Sequence, residues 1–136
     1  MVTARKKQQP QVQIIRATCL SGDLVGDAVY VTGPAGAYYS VTKVDVTNGA
    51  KMPAVGIIIS KIDATNAVIQ LWGEVKSVYS GLSPGRSYVI GGNSRPVLSI
   101  PNPNLGGRVY GQVIGVALDV GVLLLKPAEQ VLIRVG

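Results

Sequence analysis

Apolar and polar residues alternate along this chain in short runs, and nearly every run ends at glycine, proline, asparagine or aspartate. That is the period-2 signature of strands joined by turns. Val12 to Thr18 opens the series, its alternation interrupted at Ile15 and Arg16. Ser21, Gly22 and Asp23 turn the chain, and Asp27 to Thr32 is the next predicted strand. Gly33, Pro34, Ala35 and Gly36 predict a surface loop. Tyr38 to Val46 alternates well and places Tyr39, Val41, Val44 and Val46 on an inner face, with an irregularity near Lys43. Thr47 to Ala50 then supplies a turn with an Asn-Gly step.

Val55 to Ile62 is apolar on both faces at its centre, which predicts a strand that is central or covered by another chain. Asp63 to Asn66 is a four-residue turn, and Ala67 to Trp72 returns as the second arm of a hairpin. Gly73 permits a bend, with Glu74 to Tyr79 extending the strand beyond it. Trp72 reads as a core or interface anchor. The stretch from Gly81 to Lys126 is a succession of corners and apolar strands. Ser83-Pro84-Gly85 turns, Arg86 to Ile90 is a strand, Gly91-Gly92-Asn93 a corner, and Pro96 to Ile100 an edge strand ended by Pro101 and Pro103. Val109 to Leu118 is a long strand carrying Gly111 and Gly115, where a small barrel curves or a neighbouring backbone packs. Val122 to Lys126 and Val131 to Val135 complete the set. No segment shows a convincing helical period.

The composition agrees with an all-β fold. Among 136 residues there are 17 Gly and 8 Pro but no Phe and one Trp, so the core must be built mainly from Val, Ile, Leu and Ala. The length is that of a single domain. We therefore expect a compact small barrel or sandwich over residues 12–136, preceded by a flexible arm over residues 1–11. The net charge of +6 is uneven. Arg5, Lys6, Lys7 and Arg16 precede the first acid, Asp23, so the body is close to neutral and the start of the chain is a basic arm. The mean hydropathy is positive. Val55–Ile59, Val113–Leu118 and Val122–Leu125 carry more apolar surface than one small domain is expected to hide, which predicts a homo-oligomer.

The residues offer little chemistry. There is no His, which removes the commonest general base and metal ligand. The seven acids occur singly, and Asp23, Asp27, Asp63 and Asp119 fall at turns, where Asp makes local hydrogen bonds. Cys19 is the sole cysteine, so no intrachain disulfide forms; it reads as an inert, partly buried thiol, and disulfide-free folding suits a cytoplasmic site of synthesis. The glycine-rich run from Gly22 lacks the ending of a phosphate loop. Neither cofactor nor metal is expected, and the expectation is a protein that is not an enzyme. No apolar run has membrane-span length and no secretory leader is visible. Six tyrosines could provide stacking platforms for single-stranded nucleic acid, but the basic residues beyond the arm are scattered, which argues against that partner.

The run Ser80-Gly81-Leu82-Ser83-Pro84-Gly85-Arg86-Ser87-Tyr88 resembles a turn-and-strand motif of structural proteins of tailed bacteriophages. In these a "G-L-x-P-G-x-x-Y" segment leads to a glycine corner, a proline loop, and a "V-x-G-x-A-L" strand, here Val113 to Leu118. Gly22 to Val31 is similar to the opening strand-turn-strand of small phage head proteins. The resemblance spans Ala17 to Lys126 and implies a structural protein of the virion. Most similar are head decoration (cement) proteins: β-rich trimers on the capsid surface that bind the major capsid protein through an N-terminal arm. On that implication Arg5, Lys6, Lys7, Gln9, Pro10 and Val12 are the capsid-contact residues. Val55, Ile57, Ile59, Gly111, Gly115, Val122 and Leu124 are the expected subunit interface. A tail-fibre, spike or head-fibre module binding a host-surface receptor or glycan is the alternative, with Tyr38, Tyr39 and the loops at Gly33–Tyr39 and Asn102–Gly107 as contacts.

Overall fold

A computed structural model describes residues 12–98 and 109–129, and the backbone of 131–134. The residues of the predicted arm before Val12, and the loop at Asn102–Gly107, lie outside the described residues. The fold is all-β. Its strands are β1 (Gln13–Thr18), β2 (Ala28–Ala35), β3 (Tyr38–Lys43), β4 (Gly56–Asp63), β5 (Asn66–Lys76), β6 (Ser87–Ile90), β7 (Pro96–Val97), β8 (Val109–Gly111), β9 (Val113–Asp119), β10 (Val122–Leu125) and β11 (Val131–Arg134). One 3-10 turn, Gly49–Lys51, is capped by the Asn48 side chain accepting from the Ala50 amide, where the sequence predicted the Asn-Gly turn.

Five strands close a barrel. The order runs β1-β3-β2-β4-β5, and β5 pairs back with β1. All contacts are antiparallel except β1 with β3. A barrel of so few strands has a narrow interior, and the side chains that fill it are alanine or β-branched: Ala17, Val29, Val41, Ile58, Ala67 and Ile69, with Cys19 also in this core. Ala17 and Ala67 face each other across the β1–β5 pair.

The eleven-residue β5 does not stop at the barrel. Asn66 to Trp72 pairs with β1, and Gly73 to Lys76 pairs with β10. Gly73 lies at the change with φ +95°, a conformation L side chains rarely adopt, and supplies the bend its position in the sequence suggested. From there β10, β9, β6 and β7 extend a second sheet, whose inner face covers the outside of the barrel. Val75, Tyr88, Ile90, Ile114, Leu123 and Leu125 pack there against Ile57, Val44, Val46, Met52 and Ala54.

This explains β4. Ile58 points into the barrel and Ile57 into the second core, both fully buried. The chain covers both faces itself, so the apolar centre of β4 does not require a second subunit. Ile57 is a core residue, which corrects its expected place at an interface.

Four strand expectations change in detail. β2 runs through Gly33 and Pro34 to Ala35, leaving only Gly36 and Ala37 as the turn. Beyond Val29 this strand has no β4 partner, so a missing proline N–H is tolerated there. The strand from Tyr38 ends at Lys43: Val41 enters the barrel, Val44 and Val46 the second core, and Tyr39 is 58% exposed. Of the predicted Pro96–Ile100 strand, Pro96–Val97 is observed and Leu98 lies in a bend; Ser99 and Ile100 lie outside the described residues. The predicted Val109–Leu118 strand breaks at Gln112. Its buried side chain accepts from the Ala54 amide at 2.8 Å and donates to the carbonyls of Ala54 and Ala128, each at 2.8 Å. One amide thus takes the place of a strand neighbour, and β8 pairs separately with β11.

The motif at Gly81–Tyr88 acts as a unit. Leu82 plugs the second core, Gly85 turns with φ +82°, and the Tyr88 hydroxyl accepts from the Ser83 amide at 2.8 Å. Gly115, in contrast, is needed for space. A Cβ there would meet the Leu124 carbonyl oxygen of β10. Gly115→Ala should therefore cost about 3 kcal/mol of stability, since backbone must move. Gly22→Ala, where nothing lies within 4 Å, should stay within about 0.5 kcal/mol. Urea unfolding of the two variants measures the contrast.

Candidate interaction surface

Among the described residues, the outer face of the second sheet groups several apolar side chains that remain at least partly accessible. It is shaped by a slip in β9. Tyr88 pairs with Gly115 but Val89 pairs with Val113, so Ile114 is an extra residue turned inward beside Gly115. The slip restores the outward alternation on either side. Val89 and Val113 face out together, as do Val116 and Leu124, which are paired across β9 and β10. Leu118 and Val122 continue the face towards the β9–β10 turn. Val113 is 41% and Leu118 49% exposed, and Val89, Val116, Val122 and Leu124 are half-buried. Glu74 and Lys76 of β5 lie along one margin, paired with Leu124 and Val122.

Of the residues predicted for a subunit interface, Val122 and Leu124 fall on this face. Val55 and Ile59 are half-buried elsewhere: Val55 donates its amide to the Val29 carbonyl, and Ile59 packs on the second core. Ile57, Gly111 and Gly115 are buried and offer no side-chain surface to another chain. Gly111 is paired with Val131 inside the β8–β11 ribbon. Of the predicted capsid-contact residues, Val12 is 51% exposed just ahead of β1; Arg5, Lys6, Lys7, Gln9 and Pro10 lie outside the described residues. Val113, Val116 and Leu118 belong to the Val113–Leu118 run expected to be covered by another chain, but which of its members face out, and that Val89 joins them, depends on a slip that has no signature in the residue pattern.

A second exposed group surrounds the β2–β3 hairpin. Tyr38 and Tyr39 are 40% and 58% exposed, Val31 lies nearby on β2, and the Arg16 guanidinium stands 4.9 Å over the Tyr38 ring. Trp72 is not in the core; it is 44% exposed, with the Lys126 ammonium 5.7 Å from its ring.

The buried charges hold turns together. Asp23 accepts from the Leu20 amide, the Lys43 amide and the Thr42 hydroxyl. The Lys61 ammonium donates to the carbonyls of Leu20, Asp23 and Ala64 at 3.1, 2.8 and 3.1 Å, with the Cys19 sulfur at 3.3 Å. Asp27 accepts from the Leu24 amide and pairs with Arg95 at 3.2 Å. Arg95 also donates to the Val25 carbonyl, and the Tyr79 hydroxyl donates to the Gly26 carbonyl at 2.6 Å. Among the described residues no group of three or more His, Cys, Asp or Glu is arranged to hold a metal, and no helix is long and apolar enough to cross a membrane. Asp45 sits below the usual carboxylate range because the Thr47 hydroxyl and amide donate to it.

Burial raises the Tyr79 phenol well above its ordinary value of 10.0; the Arg95 charge opposes this and Asp27 adds to it. A raised folded value means that the stabilisation is complete below the unfolded value and is lost as pH climbs past it. Above about pH 10 the protein should therefore lose up to about 1.4 kcal/mol per pH unit from this group. Tyr79→Phe should start less stable and show a flatter alkaline limb in urea unfolding from pH 8.5 to 11.5, these bounds being roughly set by the ordinary tyrosine value. No protein-family model matches this chain, and neither a curated protein nor a solved structure is significantly similar to it.

Proposed function

We propose that this chain is a non-enzymatic structural protein of a tailed-bacteriophage virion, a homotrimeric decoration protein that binds the major capsid protein and stabilises the head. The observation that carries the reading is the outer sheet face of Val89, Val113, Val116, Leu118, Val122 and Leu124. It is a contiguous apolar surface with a mixed-charge margin on a fold whose buried charges are engaged in its own turns. In this reading that face joins the subunits. The basic arm with Arg5, Lys6 and Lys7 reaches the capsid from the start of β1, and attachment bridges neighbouring capsomers against the pressure of packaged DNA.

The exposed pair Tyr38 and Tyr39 beside Arg16 favours a second reading, a tail-fibre or spike module with this hairpin as its receptor contact. Binding of the purified chain to a glycan array, lost in a Tyr38→Ala, Tyr39→Ala variant, would favour it over decoration.

Two outcomes test the first reading. Sedimentation should give a trimer at micromolar concentration, and Leu124→Lys with Val116→Glu should shift it to monomer without unfolding it; a wild-type monomer of 14.2 kDa refutes it. Removing residues 1–11 should leave the trimer intact and weaken attachment to undecorated shells at least about a hundredfold, equivalent to roughly 2.7 kcal/mol. Equal decoration by the truncated chain refutes the role of the arm.

A further inference from the structure

One cleft is used by neither reading. It has a volume of about 450 Å³ and lies where the end of β3 meets the corner between β6 and β7. Leu20, Tyr30, Lys43, Asp45, Lys51 and Asn93 carry its chemistry. Its size is that of a small-molecule site.

The walls are held in place before any ligand arrives. The Ser94 hydroxyl donates to the Val44 carbonyl at 2.6 Å, and the Ala28 amide donates to the Ser94 carbonyl at 2.8 Å, fixing the corner to the barrel. The Asp45 amide donates to the Lys51 carbonyl at 3.2 Å, keeping those two residues together across the 3-10 turn. Thr42 and Ser94 also line the cleft, but their hydroxyls are already engaged, with Asp23 and with Val44.

The remaining groups define what fits. Lys43 and Lys51 are exposed cations on the rim, so the ligand carries negative charge. Asp45 uses Oδ1 to accept from Thr47, and among the described residues nothing donates to its Oδ2. A charged acceptor inside a cationic cleft favours a ligand that also brings hydroxyl donors, and it repels a bare phosphate. Asn93 uses its Oδ1 on the Arg95 amide, which leaves its NH₂ without a partner among the described residues. Leu20 and the ring of Tyr30 give an apolar wall of the kind on which a sugar ring rests. Anion, hydroxyls and an apolar ring face together describe one class of ligand. We propose that this cleft binds an acidic sugar, its carboxylate on Lys43 and Lys51, its hydroxyls on Asp45 and Asn93, and its ring face on Leu20 and Tyr30.

The test is an NMR titration of the full chain with glucuronate, with glucose, inorganic phosphate and a glutamate-rich peptide as parallel arms. Glucuronate should give saturable shifts confined to the amides around Tyr30, Lys43, Lys51 and Asn93, in the millimolar range. Glucose and phosphate should each bind at least about tenfold more weakly. Lys43→Gln with Lys51→Gln should reduce glucuronate binding to the level of glucose with an unchanged melting temperature. Absence of saturable shifts overturns the proposal. So does phosphate matching glucuronate, which indicates a general anion patch, or glucose matching it, which means the lysines are not read. Tighter binding of the peptide at the same residues assigns the cleft to an acidic protein segment instead. None of these outcomes bears on trimer formation or on attachment through the arm.

Discussion

One strand serving two sheets is the constraint on which the structure depends. β5 must present Ala67 and Ile69 to the inside of the barrel and, a few residues later, Val75 to the second core. A shift of one residue would turn every one of these side chains to the wrong face, in both sheets at once. The bend at Gly73 lets a single alternating pattern line two different interiors. Because β4 lies between those interiors, its consecutive isoleucines are both required, one for each core. The second core is therefore built on the outside of the barrel and draws on both layers, whereas the barrel interior is filled from β1 to β5 alone.

The polar groups inside the fold fix what the apolar ones leave open. Val, Ile, Leu and Ala pack in many arrangements of similar volume. The Asp27–Arg95 pair, the Lys61 ammonium among carbonyls and the Gln112 amide each accept only one. Gln112 is the clearest case. By pairing with both the N–H and the C=O of Ala54, it sets where β8 ends and β9 begins, a choice the surrounding valines and isoleucine do not make. Losing it would leave two buried backbone groups unsatisfied.

The strands were legible because their alternation is local, and so were the Asp63–Asn66 hairpin turn and the glycine bend at residue 73. What covers each face was not. The period-2 rule shows that β4 is apolar on both sides, but part of the core that buries Ile57 enters the chain more than thirty residues later, around Tyr88 and Ile114. Tyr39 alternates correctly with Val41 and is still 58% exposed, a difference that the period-2 pattern does not carry. Val122 and Leu124 were placed at a surface from their run of apolar residues alone, whereas Val89 and Val113 join them only through the slip in β9. The cleft was invisible for a simpler reason: Leu20, Lys43, Lys51 and Asn93 come from four separate parts of the chain.

The two prolines that interrupt strands have a joint consequence. Among the described residues, the outer stretch of β2 and the two-residue β7 are places where the nine-stranded sheet has no further strand partner on one side. Pro34 sits in the first and Pro96 in the second, each subtracting a donor where another chain would seek one. Growth by adding strand to strand, the route to open-ended fibrils, is thus discouraged at both openings.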